Sequence, residues 1–284
     1  MVKIFMLVAV AQIRSSNIIK ENLIQCLTII NEASLKGVKC IFFPEASDYI
    51  AENSSQAVEL AQSLNGDFVK ELQSSAIKNN MMISIGIHEK SSELHRLFNS
   101  HILIDEFGKI LDVYRKIHLF DIELSDGPNL KESNTTIPGP KVGSPISTSI
   151  GKIGLGLCYD LRFPEFSTLL QMQGMDIMTY PSAFTVPTGQ AHWEVLLRAR
   201  AIETQSYVVA AAQVGQNTSK RSTYGHAMAV DPWGKIIADC GGENWPTFKT
   251  FDIDLNQVFH IKQQMPVQQH RRHDLYNLNT LPNK

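Results

Sequence analysis

Cysteine is scarce in this chain. The four present among 284 residues, Cys26, Cys40, Cys158 and Cys240, are widely spaced and form no C-x-x-C pair. That excludes the disulfide framework of a small secreted domain and offers no zinc-ligand pattern. An excess of charge is missing too: 26 Lys and Arg stand against 28 Asp and Glu, a formal net charge of −2. Without a basic stripe or patch, neither nucleic acid nor an anionic membrane is an expected partner. Long hydrophobic runs are also lacking. The apolar residues 1–12 are too few to span a bilayer and end in no small-residue cleavage site, so they read as a first strand. A reduced, cytosolic setting is expected, with a mitochondrial pool left open.

What the chain does have is the composition of a soluble globular protein, 43% hydrophobic and 19% charged. At this length one α/β domain over residues 1–284 is expected, with residues 268–284 forming a polar C-terminal tail. Its best organised stretch is residues 151–165, G-K-I-G-L-G-L-C-Y-D-L-R-F-P-E. Ile153, Leu155 and Leu157 alternate with glycines at the period of a strand. Pro164, followed by Phe166, Leu169 and Leu170, opens a helix that stops at Gly174. Cys158 therefore sits on a strand-to-helix turn, where a side chain is lifted clear of the sheet and backbone N–H groups are free to bind an oxyanion. Alone, such a cysteine would read far more readily as core.

Taken in order, the first strand is followed by a helix over residues 17–36 ending at Gly37, and then by a buried strand over 38–43. Glu45 lies just past that strand. Helical pattern resumes near Ser55, breaks at Asn65-Gly66 and restarts with Asp67 as N-cap. A strand over 81–87 precedes a hairpin, 98–105 and 109–114, which runs into Arg115-Lys116-Ile117-His118. A Ser-, Asn-, Gly- and Pro-rich loop carrying Glu132 then leads to the cysteine strand. Beyond Gly174 the pattern gives a strand over 176–180, a helix over 190–205, and strands over 207–214, 224–231, 235–239 and 248–254.

One internal echo is present: D-E-F-G-K-I-L at 105–111 returns as D-P-W-G-K-I-I at 231–237, each closing a hairpin after strand and helix segments. D-x-x-G is a favourable turn in its own right. Two related halves, each a sheet with helices on one side, would pack sheet against sheet, so the expected architecture is an α/β, four-layer α-β-β-α sandwich.

Glu45, Lys116, Glu132 and Cys158 stand at or just past strand ends. Cleaving an amide through a thiol requires a base for the thiol, an acid for the leaving nitrogen and a cation for the oxyanion. Glu45 suits the first two tasks. Lys116, with the N–H of Tyr159, suits the third, and Glu132 would orient Lys116 and substrate. Singly, each charged residue would read as surface. His88, His95, His101, His118 and His192 form no Cys/His/Asn pattern of the papain kind, which favours the Glu-Lys-Cys set.

F-P-E-A at 43–46, Y-R-K-I-H-L-F-D at 114–121 and C-Y-D-L-R-F-P-E at 158–165 together resemble the nitrilase superfamily of carbon-nitrogen hydrolases, over essentially the whole chain. The resemblance implies the same four-layer fold, a Glu45-Lys116-Cys158 triad with auxiliary Glu132, no cofactor or metal, a small-molecule amide substrate, and a homodimer or higher homo-oligomer. Residues 180–184, 191–205, 224–226, 231–234 and 270–272 are similar to the deaminated-glutathione amidases, and F-P-E-A-S-D-Y-I at 43–50 is similar to their fungal members. Those enzymes release 2-oxoglutarate and cysteinylglycine. The loop at 215–223 is shorter than in fungal relatives.

A substrate with a carboxylate at each end wants cationic partners. Arg162 is the candidate for the keto-acid end, with a salt bridge to Asp160 or Glu165 as its structural alternative. Tyr49 and Thr185 are candidates for the pocket wall, and His192 and Trp193 for packing. An ω-amidase of 2-oxoglutaramate, a nitrile hydrolase and a silent binding protein remain alternatives at this stage.

Overall fold

Two β-sheets lie face to face in the computed structural model, which describes residues 5–123 and 129–276, with the side chains of 129 and 130 left aside. Residues 1–4 of the expected first strand, 124–128 of the Glu132 loop and 277–284 of the expected tail lie outside the described residues. The first sheet runs Ser222–Tyr224, Ala212–Gln216, Met6–Ile13, Cys40–Phe42, Met82–Lys90, Leu97–Ile104, Ile110–Arg115, and Thr247–Ile253 pairs antiparallel along Met6–Ile13. The second runs Ile236–Asp239, Met228–Val230, Tyr207–Ala210, Ile177–Thr179, Gly151–Leu155, Ile146–Thr148.

The strand Met6–Ile13 shows how the layers form. Val8 and Val10 point into the core shared with the second sheet, while Ala9, Ala11 and Ile13 meet the helices Ile19–Leu35 and Asp67–Asn79 on the other side. A strand buried on both faces must be apolar throughout, and this one is. The helices Pro164–Met172 and Val186–Thr204 cover the outer face of the second sheet, with Phe166, Leu170, Trp193 and Leu197 in its core. The fold is the four-layer α-β-β-α sandwich.

Each half follows one plan: three parallel strands joined by helices, then an antiparallel hairpin at the edge. The two D-x-x-G turns are built alike. Asp105 Oδ1 accepts from Phe107 N at 3.0 Å and Lys109 N at 2.8 Å, and Asp231 Oδ1 accepts from Trp233 N and Lys235 N, both at 2.9 Å. Gly108 and Gly234 have φ of +78° and +86°, and a Cβ on either would meet an isoleucine of the covering helix, Ile77 or Ile202.

The halves are not self-contained, however. The expected strand 207–214 is two strands: Tyr207–Ala210 belongs to the second sheet and Ala212–Gln216 to the first, the chain crossing at Ala211. The expected strand 224–231 divides likewise, Ser222–Tyr224 joining the first sheet and Met228–Val230 the second. Asp67 is the first residue of its helix, where its carboxylate meets the positive end of the helix dipole, and Gly66 takes the cap position.

Candidate active site

Glu45 follows the strand Cys40–Phe42 on a backbone pressed against the neighbouring strand. Gly86 N donates to Pro44 O at 3.0 Å and Ser47 N to Gly86 O at 2.9 Å. A Cβ on Gly86 would lie 2.6 Å from Glu45 Cα, so only glycine admits this approach. Gln213 Nε2 donates to Glu45 O at 3.0 Å and Ala46 O at 3.2 Å, and Ala46 takes a φ of +55°. These contacts fix the carboxyl at the mouth between the sheets.

Cys158 opens a 3₁₀ turn, Cys158–Arg162, between the strand Gly151–Leu155 and the helix begun by Pro164. Its φ of +46° is a left-handed conformation costly for a residue with a side chain, sustained by the surrounding bonds. Cys158 N donates to Pro181 O at 2.9 Å, and Asp160 Oδ2 accepts from Leu157 N at 2.9 Å. Asp160 is wholly buried and also takes the Tyr114 hydroxyl at 2.7 Å and His118 Nδ1 at 2.7 Å. The turn bearing Cys158 is thereby tied to the segment bearing Lys116.

Lys116 Nζ, buried, donates to Glu45 Oε1 at 3.1 Å and to Glu132 Oε2 at 2.8 Å. Asn99 Nδ2 bridges the same two carboxylates, at 2.8 Å to Glu45 Oε1 and 2.8 Å to Glu132 Oε1. Phe120 N donates to Glu132 Oε2 at 2.7 Å. The Glu45 carboxylate and the backbone N–H of Ala183 both act on the Cys158 thiol, and all three residues border one cavity. The four residues picked from the sequence thus meet in one cluster.

Burial alone would raise the Glu45 carboxyl, but the Lys116 ammonium, the Cys158 thiol, Arg221 and Asn99 outweigh it and hold Glu45 below the ordinary carboxylate range. For Lys116, burial would favour the neutral amine; Glu132 and then Glu45 reverse this and push it above an ordinary lysine. Burial, followed by the charge of Glu45, raises the Cys158 thiol, with Lys116 opposing only in part. At rest the set is a neutral thiol, a carboxylate and an ammonium. A thiol in that state needs its proton taken, and the carboxylate that can take it already acts on it.

The cluster opens into a cavity of about 370 Å³, within the usual span for small-molecule sites. Arg162, Tyr159 and Tyr49 line it, as the sequence suggested. Arg162 pairs with neither Asp160 nor Glu165; its Nη2 lies 3.2 Å from His192 Nδ1, and His192 itself is not among the residues lining the cavity. Tyr49 stacks on His88 with centroids 4.3 Å apart and donates its hydroxyl to Ala57 O. Thr185 is a correction. It lies behind the wall as the cap residue of the helix Val186–Thr204, its hydroxyl 2.8 Å from that of Thr188, and Thr188 lines the cavity in its place. The helix begins four residues earlier than its apolar pattern indicates, which turns the next threonine inward.

Sequence reasoning missed Asn99 and Arg221. Asn99 had a weak signal, an amide beside Ser100 and His101 in a strand of otherwise apolar residues; Arg221 had none beyond its place in the short loop 215–223. Among the described residues no group of three His, Cys, Asp or Glu side chains is arranged to hold a metal ion, and no helix is long and apolar enough to cross a membrane.

The carbon-nitrogen hydrolase family model matches residues 7–263. The probable hydrolase nit2 of Schizosaccharomyces pombe is 48% identical over 95% of this chain and 98% of its own length. The deaminated glutathione amidase of Bos taurus is 46% identical over 95% of this chain and 83% of its own. Among solved structures, the C. elegans NitFhit protein superposes with a TM-score of 0.92 at 39% identity, over 98% of this chain and 68% of that one. Matched along nearly all its length in sequence and fold, the chain belongs to the carbon-nitrogen hydrolase family of the nitrilase superfamily.

Proposed function

We propose that the protein is an amidase that hydrolyses deaminated glutathione to 2-oxoglutarate and cysteinylglycine, a metabolite-repair reaction, through a thioester on Cys158. The observation that carries this reading is the shared carboxylate: Glu45 accepts from the Lys116 ammonium and acts on the Cys158 thiol at the wall of one cavity. Relatives bearing the amidase name supply the substrate.

In the first half-reaction Glu45 takes the thiol proton as sulfur bonds to the amide carbon. The oxyanion so formed is stabilised by Lys116 and by backbone N–H donors, including that of Tyr159. As the C–N bond breaks, Glu45 returns the proton to the leaving nitrogen, giving cysteinylglycine and a 2-oxoglutaryl thioester. Water then attacks the thioester, Glu45 accepts its proton, and collapse expels the sulfur, which regains the proton while 2-oxoglutarate departs. Glu132 holds Lys116, Arg162 receives the keto-acid carboxylate, and Tyr159 and Tyr49 bound the pocket.

Residues 1–284 serve as one catalytic unit with residues 268–284 as its tail, acting in the cytosol without a cofactor. Exposed Val195, Ile202 and Trp233 suit pairing into a homodimer or larger homo-oligomer. The test is 2-oxoglutarate release from deaminated glutathione and from 2-oxoglutaramate, with wild type and Cys158→Ala. Faster release from the first, lost in the variant, is expected. Preference for 2-oxoglutaramate would make the enzyme an ω-amidase, and turnover of neither would overturn the assignment.

A further inference from the structure

The cavity walls are charged out of proportion to the chain. Lys116, Lys131, Arg162 and Arg221 face Glu45 and Glu132, a surplus of two positive charges in a protein whose net charge is −2. Lys116 is fully engaged by the two glutamates. Arg221 is not: among the described residues its one side-chain hydrogen bond is a long one, 3.4 Å from Nη2 to Ala183 O, and its Nε, shut off from solvent, has no partner. No carboxylate lies within ion-pair distance of Arg221 among the described residues. A half-buried guanidinium with a shielded, unsatisfied donor gains from a ligand that completes it, and the planar fork fits a carboxylate with two parallel bonds.

Its position indicates which carboxylate. Arg221 acts electrostatically on Glu45, the group that hands a proton to the leaving nitrogen, and its Nη2 approaches the carbonyl of Ala183, which lines the cavity together with Cys158. Arg162 is on the other arm, in the turn that carries the nucleophile, beside Tyr159, Phe184 and His192. We propose that Arg221 binds the terminal carboxylate of the leaving group and so selects amides whose amine portion ends in a carboxylate over simple amides. This rests on the amidase reading and assigns the end of the substrate that reading leaves unassigned.

The test compares deaminated glutathione with its C-terminal carboxamide, molecules that differ by one charge. Calorimetric titration into full-length Cys158→Ala protein measures recognition without turnover. The free carboxylate is expected to bind at least about 30-fold more tightly than the carboxamide, the size of one desolvated charge-assisted contact. In Cys158→Ala/Arg221→Ala the ratio is expected to fall to about threefold or less, with Arg221→Lys between the two because it keeps the charge and loses the fork. An Arg162→Ala counterpart is expected to weaken both ligands and keep their ratio. Thermal unfolding of each variant separates misfolding from lost recognition. Equal affinity of the two ligands for Cys158→Ala, no measurable affinity for either, or an undiminished ratio in the Arg221→Ala variant overturns the proposal. Failure of the wild type to release 2-oxoglutarate would instead overturn the amidase reading, and the titrations would still decide the role of Arg221.

Discussion

Tyr114 donates its hydroxyl to Asp160 Oδ2 at 2.7 Å, across the interface between the two sheets. Tyr114 lies at the end of the strand Ile110–Arg115, two residues before Lys116, and Asp160 lies in the turn that presents Cys158, so the bond sets the distance between Lys116 and Cys158. Both partners are buried, and Asp160 further holds His118 and Leu157. Tyr114→Phe is expected to cost about 1.5–3 kcal/mol of stability, the usual worth of a hydrogen bond to a buried charge, and to lower kcat more than it raises KM. Urea denaturation with steady-state kinetics checks both; a variant as stable and as active as wild type would contradict the role assigned.

Gly86→Ala addresses the other arm of the site. The added methyl would stand 2.6 Å from Glu45 Cα and 3.0 Å from Pro44 O, both backbone atoms that cannot swing aside. The Glu45 loop must shift by a sizeable fraction of an ångström, and kcat/KM is expected to drop by about 100-fold while the protein stays folded. Circular dichroism with turnover measures this, and unaltered kcat/KM would show that the loop tolerates displacement.

The protonation states lead to a distinctive pH behaviour. Glu45 is held ionised below the ordinary carboxylate range, so wild-type kcat/KM should not lose its base until the pH falls below that range. Glu45→Gln removes the base and is expected to lower kcat/KM by about 10²–10⁴-fold near pH 7. It also removes the negative charge that raises the Cys158 thiol, so the residual activity should climb as the pH rises and the thiol ionises unaided. A residual rate independent of pH between 6 and 10 would contradict the assignment of Glu45 as base.

His101 supplies an acid-sensitive link between the sheets. Its ring lies between Ser84 Oγ, 2.7 Å from Nε2, and Gly156 O, 2.8 Å from Nδ1, two residues before the nucleophile. Burial lowers its pKa from 6.5 to about 4. An unfolded chain therefore binds this proton more readily than the native one, so the stability contributed is complete above pH 6.5 and is lost as the pH falls from 6.5 towards 4. The loss amounts to about 3 kcal/mol. Denaturation at pH 7 and 4.5, in wild type and His101→Gln, tests this; the variant should lose that part of the pH dependence, and an unchanged slope would refute it.

Much of this molecule is legible from residue order. Alternation around Cys158, the proline that opens the next helix and the strand end before Glu45 are local signals, and each sits where the pattern indicates. The paired D-x-x-G turns carry the internal symmetry because an aspartate and a glycine three residues apart fix a turn by themselves. What escapes is non-local. The segments 207–212 and 227–230 are apolar and buried throughout, so periodicity cannot say where one sheet ends and the other begins. Asn99 and Arg221 matter through atoms supplied by distant segments, and Thr185 differs from Thr188 only in the starting phase of a helix.

The covalent intermediate is open to direct observation by intact-protein mass spectrometry of rapidly quenched wild-type enzyme with deaminated glutathione. The expected result is a gain equal to one 2-oxoglutaryl group, mapped to the peptide bearing Cys158 and absent from Cys158→Ala. Turnover of the substrate by the Cys158→Ala protein, or an acyl group mapped to any other residue, would contradict it.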